Sequence, residues 1–162
     1  ITSILTDIFK TNISTSTDST ETILNTSITQ LSTILDISAE TLYVDYISEQ
    51  NSPIAKLVQQ IMVTVDTLTN AIDNPSVTEV SIMTAIANTL IATSQIQGNT
   101  ISLSDSSNIG SIIANITDSN GTTVSMNQDL ITNSSNFVSS VNTVISSIDI
   151  NTTIEIIEFT AK

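Results

Sequence analysis

Few side chains in this 162-residue chain could do chemistry: sixteen carboxylates, three lysines and many hydroxyls and amides, with no histidine and no cysteine. Without imidazole or thiolate, residue type alone excludes His/Cys zinc sites, haem ligation and the Ser-His-Asp and Cys-His nucleophile arrangements. A Ser-Lys dyad could be built on Lys56, but Lys56 lies between Ala55 and Leu57 with no motif around it. The acid content would permit a carboxylate pair of the kind that hydrolyses glycosides. The aromatic platforms that usually accompany such a pair are limited to Tyr43, Tyr46 and three Phe. Tyr43 and Tyr46 flank Asp45 and read as amphipathic residues, with rings in the core and hydroxyls at the surface.

Calcium is the one inorganic partner these residue types admit. Asp118-Ser119-Asn120-Gly121 supplies a carboxylate, an amide oxygen and a turn glycine, as part of a calcium loop does. It lacks the remaining ligands and the closing Glu of an EF-hand, and turn formation accounts for the same residues. With three glycines in the chain there is no Gly-rich phosphate loop. No catalytic, cofactor-binding or metal-ligating residue is assigned, and the chain reads as something other than an enzyme.

Charge narrows the partners. Lys10, Lys56 and Lys162 are the only basic side chains, giving a net charge of -13. Nucleic acid and anionic membranes are therefore poor partners, because phosphate binding needs Lys and Arg to displace counterions. Such a balance fits a cationic environment, or a solvated face kept soluble by like-charge repulsion. Six Asn-x-Ser/Thr sequons, at Asn12, Asn25, Asn115, Asn120, Asn133 and Asn151, are about what the abundance of Asn, Ser and Thr produces by chance. Apolar runs are as short as Ile61-Met62-Val63, so no membrane insertion is expected. The chain begins at Ile1 without a basic leader, which reads as a mature product or a piece of something longer.

The elements that must carry these residues follow from periodicity, which favours helix despite the many β-branched residues. Ile54, Leu57, Val58, Ile61, Met62, Val65, Leu68 and Ile72 recur at helical spacing over Pro53 to Asp73, with Ser52 as cap and Pro53 in the first turn. Asn74-Pro75 ends that helix. Ser76 and Glu79 offer a reciprocal capping pair for the next, predicted to reach Gln97 and to bury Val80, Met83, Ile86, Ala87, Leu90 and Ile91. A third helix is predicted from Ser125, paired with Gln128, to Ile148. Its inward face would be Leu130, Ile131, Phe137, Val138, Val141, Val144, Ile145 and Ile148, with Asn133 to Asn136 as a polar weak point. Ile23, Leu24, Ile28, Leu31, Ile34 and Leu35 give a fourth, begun near Ser19. Shorter helices are expected around Ile4 to Phe9, from Ser38 to Tyr46, and over Ile109 to Ile116. Gly98-Asn99 and Asn120-Gly121 mark turns, and polar Thr11 to Thr20 is the linker candidate.

Thr152 to Phe159, rich in β-branched residues and without a helical stripe, reads as extended and in need of a partner. The expected fold is all-α: an antiparallel bundle of about five to seven helices with a short extended C-terminal segment. Residues 1–150 form the helical domain, and 151–162 are a tail or the start of a following β-domain. A β-rich sandwich or solenoid is the alternative that the Ile, Thr and Val content allows.

Leu35-Asp36-Ile37-Ser38, Tyr46-Ile47, the Ala55 to Ile72 helix and Ala85-Ile86-Ala87-Asn88-Thr89 resemble, in that order, a helical module of large secreted bacterial repeat and adhesin-type surface proteins. Ile112-Ile113-Ala114-Asn115-Ile116 and Val141-Asn142-Thr143-Val144-Ile145 continue the likeness, which covers residues 31–148. It implies an extracellular or cell-surface location and a structural or adhesive role, and it brings no catalytic residue with it. The expectation is a structural or assembly module of a surface protein or extracellular filament. Its partners would be neighbouring domains or copies of itself, in a homo-oligomer or filament. The alternative is an adhesion module binding a surface glycan, a protein or calcium.

Overall fold

Polar punctuation between aliphatic stripes divides the chain into helices. The structure is a computed structural model and describes residues 2–43, 52–94 and 101–148. In order, the elements are α1 (Thr2–Thr15), α2 (Thr20–Ile34), a 3-10 turn (Ala39–Tyr43), α3 (Ser52–Ala71), α4 (Glu79–Ser94), α5 (Ser106–Ala114) and α6 (Gln128–Ser147). The all-α prediction holds. Among the described residues the sole β pairing is an isolated antiparallel bridge between Thr117 and Thr123. The predicted extended tail, Tyr46 and the Gly98-Asn99 turn lie outside the described residues.

Local chemistry explains where the boundaries fall. The predicted linker at Thr11 to Thr20 contracts to residues 16–19, because hydroxyls in the last turns of α1 bond back to the helix instead of breaking it. Thr11 Oγ1 donates to the Asp7 carbonyl at 3.0 Å and Ser14 Oγ to the Thr11 carbonyl at 2.7 Å. α2 begins near Ser19 as predicted, and Ser19 caps it, accepting from the Thr22 amide at 3.2 Å. At the other end of α2 the Ile37 amide reaches the Ser32 carbonyl at 2.9 Å, and the Asp36 amide reaches that of Thr33 at 3.3 Å. This is a Schellman ending with Asp36 in the left-handed position, φ 52°. The Ile101 amide takes a further carbonyl of that end, Ile34, at 3.1 Å.

Two predicted capping pairs are displaced. α4 is capped reciprocally by Thr78 and Ser81, not by Ser76 and Glu79: each amide bonds the other's hydroxyl, at 3.2 and 3.3 Å. α6 starts from Asn127, whose side-chain oxygen accepts from the Asp129 amide at 2.6 Å, so the Ser125–Gln128 pair does not cap it. In both places the sequence holds several residues able to cap, and spacing alone does not choose among them.

α4 lies at the centre, packed on α1, α2, α3 and α5. Accordingly Ile82, Ala85, Ile86, Ala87, Thr89 and Leu90 are all buried, as a helix surrounded by others requires. Val80, predicted to be inward, is 72% exposed in its first turn. Around α4 the core is Ile4, Ile8, Leu31, Ile34, Leu68, Ile109, Ile112 and Ile113, so it is aliphatic throughout. α6 packs on α3 and α5 at the edge of this arrangement. No helix among the described residues is long and apolar enough to cross a membrane.

Candidate functional site

The densest convergence of polar side chains lies where α3 meets α6. Lys56, Gln60 and Thr64 recur every four residues along α3, which sets them on one face. Ser135, Ser139, Asn142 and Ser146 follow the i, i+4, i+7, i+11 rule on α6. Lys56 meets the Ser146 end of α6 while Thr64 meets Asn142, so the helices run antiparallel.

Lys56 Nζ donates to the Ser146 backbone carbonyl at 2.8 Å. A cation there neutralises the negative end of the α6 dipole and satisfies a carbonyl of the last turn. Gln60 Nε2 faces the Ser146 Oγ at 2.7 Å, the Asn142 carbonyl at 3.0 Å and the Ser104 Oγ at 3.2 Å. The fully buried Asn142 donates from Nδ2 to Thr64 Oγ1 at 3.1 Å and to the Leu103 carbonyl at 2.9 Å. Thr64 in turn donates to the Gln60 carbonyl at 2.7 Å. The seam thus ties together α3, α6 and the segment before α5. A shallow recess of about 370 Å³ opens at its Lys56 end, where Asp36 is the other charged group.

This geometry is not that of a Ser-Lys dyad. Lys56 Nζ bonds a carbonyl, and the nearby Ser146 hydroxyl donates to the Asn142 carbonyl at 3.0 Å. A dyad needs the serine oxygen to give its proton to the amine.

The Asp118 loop is a closed turn. Asp118 Oδ1 accepts from the Asn120 and Thr122 amides, both at 2.9 Å, and the Gly121 amide donates to the Asp118 carbonyl at 3.0 Å. Gly121 takes φ 78°, the left-handed conformation for which glycine is suited. Its carboxylate is therefore engaged by its own backbone, and no group of three or more acidic residues that could hold a metal occurs among the described residues.

Other carboxylates are likewise tied to helix ends and helix pairs. Asp105 caps α5, accepting from the Ser107 amide at 2.8 Å and its hydroxyl at 2.7 Å, and these bonds hold its carboxyl below the usual range. Asp7 meets Lys10 at 3.4 Å and the Thr84 hydroxyl at 3.4 Å, beside a recess of about 400 Å³ that Glu79 and Met83 also line.

No family model, curated protein or solved structure matches the chain.

The sequons divide by environment. The Asn12 side chain donates to Ser27 Oγ and Gln30 Oε1, both at 2.8 Å, and ties α1 to α2. That of Asn115 donates to Thr89 Oγ1 at 3.0 Å, between α5 and α4. Asn25 and Asn133 are exposed within helices, Asn120 is exposed in the turn, and Asn151 lies outside the described residues.

Sequence reasoning missed Gln60, Thr64 and Asn142. Their signal was present as polar residues at helical spacing on two helices, but it competes with an apolar stripe on each. On α6 the two stripes share the inward face: Val138 and Ile145 are buried as predicted, together with Ser134, Ser135, Ser139 and Asn142, while Phe137 is 58% and Val144 57% exposed.

Proposed function

We propose that this chain is a non-catalytic structural module of a secreted or cell-surface protein or extracellular filament, set beside neighbouring domains or copies of itself. One observation carries the reading: the candidate reactive groups are committed to holding the fold. Lys56 ends α6, Asp118 closes a turn, Asp105 caps α5, and Asp7 pairs with Lys10 within α1 and accepts from Thr84 of α4. The absence of imidazole and thiol, the scarcity of positive charge and the likeness of residues 31–148 to modules of secreted repeat proteins point the same way.

Two measurements test it. Antibody labelling and protease shaving of intact producing cells should reach the chain, and protection from both would count against a surface location. Light scattering and electron microscopy over a concentration series should show ordered association of the intact chain or of the longer protein containing it. Monomers at every concentration would remove the assembly role. The binding alternative is weakened in its calcium form by the closed Asp118 turn. Calorimetry with millimolar calcium should give no heat, and heat that vanished in Asp118→Ala would favour calcium binding instead.

A further inference from the structure

Composition sets how many sequons such a chain carries, and the fold decides which of them an enzyme can reach. N-linked modification needs two groups at once: the Asn amide nitrogen, which takes the sugar, and the Ser or Thr hydroxyl two residues on, which completes the signal. Asn12, Asn25 and Asn133 stand inside α1, α2 and α6. Residues i and i+2 of a helix point about 200° apart, so the amide and the hydroxyl leave opposite sides. Accordingly the hydroxyl partners of Asn25 and Asn133 are buried: Ser27 bonds the Ile23 carbonyl at 2.8 Å, and Ser135 lies beside Gly110 of α5. Asn12 and Asn115 fail on the other group, because their amide nitrogens already donate to Ser27 and Gln30 and to Thr89.

Asn120-Gly121-Thr122 meets both requirements. It forms the tip of the connection between α5 and α6, outside any helix, with Asn120 and Thr122 both exposed. Backbone groups hold the tip: the Asn120 and Thr122 amides donate to Asp118 Oδ1, and the Asp118 amide donates to the Thr122 carbonyl, all at 2.9 Å. The side-chain amide of Asn120 and the hydroxyl of Thr122 bond no other group among the described residues. Space is open as well, since a Cβ added at Gly121 would meet no atom within 4 Å. The base of the connection is fixed by fully buried Ile116, whose carbonyl accepts from the Val124 amide at 3.0 Å, and by the Ser119 amide, which reaches the Ser76 carbonyl at 3.1 Å. A bulky hydrophilic group on Asn120 therefore extends into solvent without displacing a packed side chain.

We propose that Asn120 carries an N-linked saccharide, and that the fold selects it over the other four sequons of the described residues. The inference rests on the secreted or cell-surface reading above, because such acceptors belong to exported chains. In the transfer, Asn120 Nδ2 forms a bond to the anomeric carbon of a saccharide carried on a polyprenyl phosphate. The bond from that carbon to the phosphate oxygen breaks with its electron pair, and the amide gives up one proton to a base of the transferase.

Peptide mass spectrometry of the protein isolated from its native source tests the site. The peptide containing Asn120 should be heavier by whole sugar residues, and those containing Asn12, Asn25, Asn115 and Asn133 should be unmodified. Asn120→Gln and Thr122→Val should each abolish the added mass, while Thr122→Ser, which keeps the hydroxyl, should retain it. Both positions are exposed and neither has a left-handed backbone, so circular dichroism should be the same for all three variants. An unmodified Asn120 in the native protein overturns the inference. Surface labelling of the same cells then separates the two readings: a labelled chain refutes the modification alone, and an unlabelled one refutes the location as well. Sugar on the helical sequons at the level found on Asn120 would show that the fold does not select the site and would overturn the proposal too.

Discussion

Two helix junctions in this molecule are both buried and are held in different ways. Between α4 and α5 the buried side chains include Ile82, Ile86 and Leu90 on one helix and Ile109, Ile112 and Ile113 on the other, all under 2% exposed. Between α3 and α6 they include Gln60, Thr64 and Asn142. Aliphatic packing is strong but non-directional, so it rewards burial more than any one register. Hydrogen bonds such as Asn142 Nδ2 to the Leu103 carbonyl are weaker net contributors, yet they are satisfied in one alignment only. A chain with few charges and almost no aromatics obtains its specificity from amides and hydroxyls buried beside its core.

The largest loss should come from the aliphatic side. Ile112→Ala removes a fully buried side chain from the centre of the cluster and should cost about 3 kcal/mol in urea unfolding, with the slope unchanged. A loss below about 1 kcal/mol would mean that α5 is held mainly by its ends. At the seam, Asn142→Ala strands the Leu103 carbonyl and should cost about 2 kcal/mol. Thr64→Val combined with Asn142→Ala should then cost less than the two losses added, by about 1 kcal/mol, because both remove the same bond. Strict additivity would show that the network is not acting as a unit.

The difference between the junctions also explains what the sequence could disclose. The apolar junction was legible: Ile86, Leu90, Ile109, Ile112 and Ile113 all sit inward as their period requires. The start of α2 near Ser19 was legible because a polar, cap-rich stretch there gives way to the Ile23, Leu24, Ile28 and Leu31 period. α6 was not. Its serines and asparagine have the same helical period as its valines and Phe137, so periodicity finds the helix but cannot tell which stripe faces α3. The deciding term is tertiary: Thr64 Oγ1 and the Leu103 carbonyl provide partners that the buried Asn142 side chain reaches. The linker over Thr11 to Thr20 was overestimated for a related reason, since serine and threonine hydroxyls can bond back into a helix as readily as they cap one.

Smaller effects lie at the margins of the apolar region. Asp36 holds a left-handed conformation at the end of α2, where glycine has no steric cost and a negative charge opposes the helix dipole. Asp36→Gly should raise stability by about 1 kcal/mol by thermal unfolding. A fall would mean that the Asp36 side chain supports the recess beside Lys56.

Smallest is the cap of α5. Hydrogen bonds from the Ser107 hydroxyl and amide hold the Asp105 carboxyl below its ordinary range in the folded chain. A lowered folded value means that the ionised cap contributes stability above the unfolded value, and that this contribution disappears as pH falls through the folded one. Asparagine caps a helix as well but does not titrate. Asp105→Asn should therefore melt slightly below the parent at about pH 7, and the gap should narrow as pH falls below the ordinary carboxylate range. The other carboxylates are common to both chains and cancel in the difference, so a gap that stayed constant with pH would show that the charge of Asp105 has no part in capping α5.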